Sequence, residues 1–264
     1  MNALLDPAPL AVIGGLTSAA MAPGWDVSVV SATGSTNTLA ARLPAWHAVR
    51  AETQSAGRGR TGRHWVSDTG GLWLSAVLPC PGPRDTWTLL PLAVGQALLS
   101  ALGEIGARDL RLRWPNDILA GRRKLAGLLV ERHTADTAVV GIGINVHNHP
   151  EAAEPGLRDT TVRLADLLPS APLDLDAVTA LVLNALARAH QRLRTEGFGR
   201  IAEELNAGWT SPRLVALTLA GRPDAVVGLF TGIDATGRLL LRSRDRRVTA
   251  HDPSAVALLR ELDT

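Results

Sequence analysis

The spacing of apolar residues between positions 88 and 102 constrains the fold most. Leu89, Leu90, Ala93, Val94, Ala97, Leu98, Ala101 and Leu102 recur every three or four positions, which predicts an amphipathic helix. Apolar residues elsewhere come mostly in runs of strand length, at 27–31, 47–52, 71–78, 110–114, 124–131 and 138–144. Helical spacing returns over 173–193, where Pro172 occupies a position suited to a helix start, and over 198–209. Ser35, Thr36 and Asn37 precede Leu39, Ala40 and Leu43, polar residues where a helix would begin. Strands mixed irregularly with a few helices predict the α+β class.

The character changes at Ser211-Pro212. Short runs follow at 214–219, 225–233, 238–241 and 246–250, separated by Gly221, Pro223, Asp234 and Gly237. Such runs suit a small β-barrel. The expected organisation is a main domain over residues 1–211 and a β-rich tail over 212–264.

Composition narrows the class of protein. With 46% hydrophobic and 20% charged residues, the 264-residue chain suits a packed core rather than disorder. Its 27 basic and 25 acidic residues leave a formal charge of +2, too small for general nucleic-acid affinity unless gathered in one patch. One cysteine, Cys80, excludes an internal disulfide and fits a reducing cytoplasm. It ends an apolar run, as buried filler does. The start lacks a basic segment before its apolar residues, and no stretch approaches ~20 uninterrupted apolar residues, so neither a signal peptide nor a membrane span is expected.

Four segments carry chemistry. The stretch 54–63, with Gly57, Gly59 and Gly62 among Arg58, Arg60 and Arg63, has no period and reads as a loop. Glycine-spaced guanidinium groups suit wrapping around an anion, and equally suit a solvated or RNA-contacting surface loop. Arg113-Trp114-Pro115-Asn116-Asp117 ends a strand, either as a rigid wall bearing polar groups or as an ordinary turn. Lys124 opens an apolar strand ending at Glu131 and reads either as a cleft-facing charge or as a solvated strand end. Gly141-Ile142-Gly143-Ile144-Asn145-Val146 lacks the third glycine and the following helix of a dinucleotide fingerprint. No Walker-type phosphate loop is present. His147 and His149, beside Pro150, read as a polar loop rather than a zinc site.

Taken in order, these segments closely resemble the catalytic domain of biotin–protein ligases, from about Val27 to Trp209, and the β tail resembles that family's SH3-like domain. The resemblance implies a mixed β-sheet with flanking helices, the class II synthetase-like biotin/lipoate ligase fold. It implies ATP-dependent formation of biotinoyl-5′-AMP, release of pyrophosphate, and transfer to a lysine of a biotin carboxyl carrier protein. Lipoate–protein ligases and octanoyltransferases share the catalytic fold, and the Gly/Arg loop with the Trp-Pro-Asn-Asp turn favours biotin.

By position, Ser35, Thr36, Asn37 and Gln54 would contact biotin. Arg58, Gly59 and Arg60 would close over the biotin carboxylate and α-phosphate, with Lys124 between them. Gly127, Gly141 and Gly143 would let the backbone approach biotin. Arg63, Trp65 and Asn145, with Arg60, would serve the nucleotide, and Asp117 would orient or deprotonate the acceptor lysine. ATP use implies Mg²⁺, with no ligands assigned. Arg113 departs from the family's usual lysine and His147 from a common asparagine. Some members carry an N-terminal helix-turn-helix repressor domain. The 34 residues before Ser35 include Pro7, Pro9 and Pro23 and show no such pattern, so a short form without DNA binding is expected.

Overall fold

Seven strands form one mixed sheet in the computed structural model, which describes residues 24–82, 87–170, 173–210 and 212–262. They are β1 (Asp26–Thr33), β2 (His47–Gln54), β3 (Leu72–Pro79), β4 (Leu110–Arg113), β5 (Asp117–Ala120), β6 (Arg123–Glu131) and β7 (Thr137–Ile144). The order is β1-β2-β3-β7-β6-β5-β4; β1 and β2 run parallel and every other neighbouring pair antiparallel. Interior strand β3 is apolar almost throughout because both faces are covered, so it reads as a continuous run rather than an alternation.

The two faces do different work. Ala48, Ala76 and Val140 point into the main core, beneath α2 (Leu90–Glu104) and α5 (Leu175–Thr195). Their neighbours Val49, Val77 and Val139 point the other way and meet Ala40 of α1 (Thr36–Ala40). That is the period-two geometry of a strand. Asp174 caps α5 by accepting from the Ala177 amide at 3.3 Å. Two short helices, α3 (Pro150–Ala153) and α4 (Leu164–Leu167), follow β7, and α6 (Gly199–Gly208) precedes the tail. Pro172, Ser211 and the leading Pro7, Pro9 and Pro23 lie outside the described residues. Among the described residues no helix is long and apolar enough to cross a membrane.

A second sheet is antiparallel, in the order β11-β10-β9-β8-β12, and fits the expected SH3-like tail. Its strands are β8 (Arg213–Leu219), β9 (Ala225–Ile233), β10 (Leu239–Arg242), β11 (Val248–His251) and β12 (Val256–Glu261). The sequence pattern misses β12, because a register shift between Val256 and Leu258 breaks the alternation; the buried residues Val256 and Leu259 stand three apart. It also misses β5, a four-residue strand masked by the Pro115-Asn116 turn signal.

The tail is bonded to the large sheet at several points. Arg111 donates twice to the Glu261 carboxylate, at 2.6 and 2.5 Å. The Trp114 indole donates to Gly237 O at 3.0 Å, and just ahead of the tail the Trp209 indole donates to Leu112 O of β4 at 2.7 Å.

Candidate active site

A cavity opens on the α1 side of the large sheet, and its floor is built from neutral polar groups. Thr36 and Asn37 are buried in the first turn of α1, and Asn37 lies over Gly141 of β7. The Gln54 side chain takes the place of a helix cap: its Oε1 accepts from the Thr36 amide at 2.8 Å and from the Thr36 hydroxyl at 3.0 Å. Gln54 Nε2 in turn donates to Ser67 Oγ at 2.9 Å, and Ser67 donates to Trp65 O at 3.0 Å. Ser75, fully buried in β3, lies 2.7 Å from Thr36 Oγ1 and 2.6 Å from Asn37 Oδ1. A β-carbon on Gly141 would stand 2.2 Å from Asn37 Oδ1, so only glycine admits this approach.

The Gly/Arg loop forms one wall. Arg58 and His64 bridge as a short antiparallel pair, and a single 3₁₀ turn spans Arg60–Gly62. The Arg60 guanidinium reaches across to the tail, donating to Pro253 O at 2.6 Å and Val256 O at 3.0 Å. Arg63 donates to Ala257 O at 3.0 Å, at the register shift of β12. Burial pulls the Arg60 pKa down, Asp117 opposes that, and Arg63 adds to it. Trp65 lies over Gly127 and Gly143, where a β-carbon would come within 2.9 and 2.7 Å of its ring. The Trp65 indole Nε1 is buried without a hydrogen-bond partner.

The opposite wall carries the charges. Lys124 Nζ stands 2.7 Å from Asp117 Oδ1 and 4.7 Å from the centroid of Trp65. Arg113 donates to Asp117 Oδ2 at 2.7 Å. Burial alone would raise the Asp117 pKa, but Lys124, and then Arg113, hold it below the usual carboxylate range. Asn116 pins the turn to β6 through Leu128 O at 2.7 Å. Among the described residues, Arg58, Arg60, Arg63, Arg113 and Lys124 thus face a cavity that holds one carboxylate, Asp117. Such a site is built to receive anions.

Residues 31–146 match the Biotin/lipoate A/B protein ligase family. A biotin--[acetyl-CoA-carboxylase] ligase of Mycobacterium tuberculosis is 34% identical over 247 residues, 89% of this chain and 90% of that one. The chain belongs to the biotin–protein ligase family. A ligase of the same description from Paracoccus denitrificans is 33% identical over 230 residues, covering 81% of this chain and 93% of its own. A solved biotin protein ligase from Aquifex aeolicus, in complex with biotin and ATP, superposes with a TM-score of 0.77 at 25% identity. It covers 89% of this chain and 99% of that structure.

Of the residues that the ligase resemblance singles out, Ser35, Thr36, Asn37, Gln54, Arg58, Gly59, Arg60, Arg63, Trp65, Asp117, Lys124, Gly127, Gly141 and Gly143 line this one cavity. Asn145 does not; it is buried, with its side-chain carbonyl accepting from Asn148 at 3.1 Å. Arg113, the departure from the usual lysine, occupies the second oxygen of Asp117. His147 turns away, its Nε2 bonded to Leu173 O at 2.8 Å, and His149 pairs with Glu151 at 2.8 Å. Burial pushes the Cys80 thiol up to about 11. The sequence reading missed Ser75 and the tail residues Ala257, Leu258 and Leu259, which close one side. Ser75 had a visible signal, one hydroxyl within an otherwise apolar strand, where a buried donor must find a partner.

Proposed function

We propose that this chain joins biotin to ATP as biotinoyl-5′-AMP and passes the biotinoyl group to one lysine of a biotin carboxyl carrier protein. Residues 1–211 would form the catalytic unit and 212–264 its tail. The supporting observation is the cluster of Lys124 and four arginines beside a neutral polar floor. Adenylation brings a carboxylate against the α-phosphate, a repulsion of about 4 kcal/mol per charge pair at ~4 Å and an effective dielectric of ~20. Fixed cations offset that repulsion and stabilise the pentavalent phosphorus of the transition state.

In this reading the ureido ring rests on Ser35, Thr36, Asn37 and Gln54, whose donors and acceptors replace those of water. Gly127, Gly141 and Gly143 carry no β-carbon, so Trp65 and Asn37 seat directly against the backbone and frame the place of the ring. The carboxylate oxygen attacks the α-phosphorus, pyrophosphate departs, and Lys124 with Arg58 and Arg60 neutralises the oxygens involved. Trp65 and Arg63 serve the nucleotide. In the second step the neutral acceptor amine attacks the acyl carbon, the acyl–phosphate C–O bond breaks, AMP leaves with its electron pair, and the amine's proton passes to solvent. Asp117 acts by holding Lys124 and Arg113 in place; a carboxylate whose pKa is lowered is a weak base for an ammonium ion.

Mg²⁺ enters with the ATP phosphates in this account. No three His, Cys, Asp or Glu side chains gather among the described residues, and both Asp117 oxygens already face cations. We place the reaction in the cytoplasm, in keeping with its use of ATP and the single cysteine.

The test is incorporation of labelled biotin into a carrier domain with ATP and Mg²⁺, beside a carrier whose target lysine is arginine and a lipoate control. Label in the intact carrier from biotin alone supports the proposal. Incorporation of lipoate instead of biotin would overturn it.

A further inference from the structure

Glu131, the last residue of β6, lies on the same side of that strand as Gly127 and Leu129, and its carboxylate reaches the polar floor. Asn37 Nδ2 stands 2.6 Å from Glu131 Oε2, and the same oxygen lies 3.8 Å from the Arg58 guanidinium. An amide side chain has two ends of nearly the same shape, and its partners decide which end faces where. A carboxylate only accepts, so the nitrogen of Asn37 must point at Glu131 and its oxygen must point at the floor.

The rest of the network runs in the same direction. Thr36 spends its hydroxyl proton on Gln54 Oε1, leaving Thr36 Oγ1 as an acceptor. Ser75 has one proton for two acceptors, Thr36 Oγ1 at 2.7 Å and Asn37 Oδ1 at 2.6 Å. Acceptor capacity is therefore left over at the floor, against the bare Cα of Gly141. A ligand N–H is the group that would use it.

We infer that Glu131 is a positioning residue for substrate recognition: it fixes the polarity of Asn37 so that an acceptor faces the ligand N–H, and it tethers loop residue Arg58 to the same point. This rests on the ligase reading above, with the ureido N–H of biotin as the group recognised.

The experiment is biotin titration calorimetry without nucleotide on wild type, Glu131→Gln, Asn37→Asp and the double variant, with melting temperatures recorded. Glu131→Gln offers either a donor or an acceptor to Asn37, and biotin affinity is expected to fall about tenfold. Asn37→Asp alone sets two carboxylates together, and affinity should fall further. The double variant restores the pattern with the roles exchanged. The new amide at position 131 donates to one carboxylate oxygen at position 37, and the other oxygen still presents an acceptor to the floor. Its biotin affinity should recover to within a few-fold of wild type, a rescue that a purely structural role would not give. Wild-type affinity in Glu131→Gln, or a double variant no better than Asn37→Asp, would overturn the inference. A wild-type protein that binds no biotin would instead sink the ligase reading itself. If Asn37→Asp fails to fold, recovery of folding and binding together in the double variant supports the inference, and folding without binding opposes it.

Discussion

Lys124 Nζ and Asp117 Oδ1 are 2.7 Å apart, on the two strands of the β5–β6 hairpin. The pair is largely shielded, with 26% and 16% of the side chains exposed, and Arg113 holds the other Asp117 oxygen. Removing a carboxylate from between two cations leaves both without their partner, and a small displacement of Lys124 is costly to chemistry. Asp117→Asn is therefore expected to lower adenylation and transfer together, each by about tenfold or more. Separate assays of pyrophosphate exchange and single-turnover transfer decide the matter. A loss confined to transfer would instead make Asp117 a base for the acceptor amine.

The arginine loop is held by the tail's backbone. Arg60 donates to two carbonyls, Pro253 and Val256, which a planar guanidinium can do and an ammonium on a flexible stem does poorly. Arg60→Lys keeps the charge and should raise the KM for ATP by about three- to tenfold. Limited proteolysis should then cut the loop faster than in wild type. Unchanged kinetics and unchanged cleavage would show that the contact to the tail does not order the loop.

Gly141→Ala tests the floor directly. The added methyl would meet the Asn37 amide, which is itself pinned by Ser75 and Glu131 and has nowhere to move. Biotin affinity should drop about tenfold or more while the KM for ATP stays within about twofold. Equal loss of both would mean a general collapse of the sheet at that point.

A fourth prediction concerns stability rather than catalysis. His190 on α5 is stacked on Trp87 at 5.3 Å, edge-on to Trp46 at 5.2 Å, and bonded to Pro79 O at 2.8 Å. Burial lowers its pKa below the ordinary 6.5, only partly offset by that bond. The unfolded chain then binds a proton at higher pH than the folded one. Stability from this group is full above about 6.5 and is lost as the pH falls towards the folded value. Melting temperature should decline on acidification below that point, and less steeply in His190→Gln. Parallel curves would remove His190 from the account.

Much of the fold was legible because its signals are local. The α2 stripe and the runs of β2, β3, β6 and β7 each follow from spacing within one segment. What escaped is set by partners distant in sequence. β12 hides behind its register shift, and β5 depends on pairing with β4 and β6 rather than on its own four residues. The cavity residues followed the same division. The Gly/Arg loop, Lys124 and the β7 glycines announced themselves by type and order, whereas the roles of Ser75 and Glu131 exist only once β3, β6 and α1 come together. Asn145, named as a nucleotide contact from its place in the motif, has its side-chain oxygen accepting from Asn148.

The most direct test is biotin-dependent exchange of labelled pyrophosphate into ATP, run on wild type and Lys124→Ala with Mg²⁺ present. The account predicts exchange in the wild type with biotin and not with lipoate, and a loss of at least about a hundredfold in the variant. Exchange that persists in Lys124→Ala would contradict the role given to that lysine. Absence of exchange in folded wild-type protein would contradict the adenylation reading as a whole.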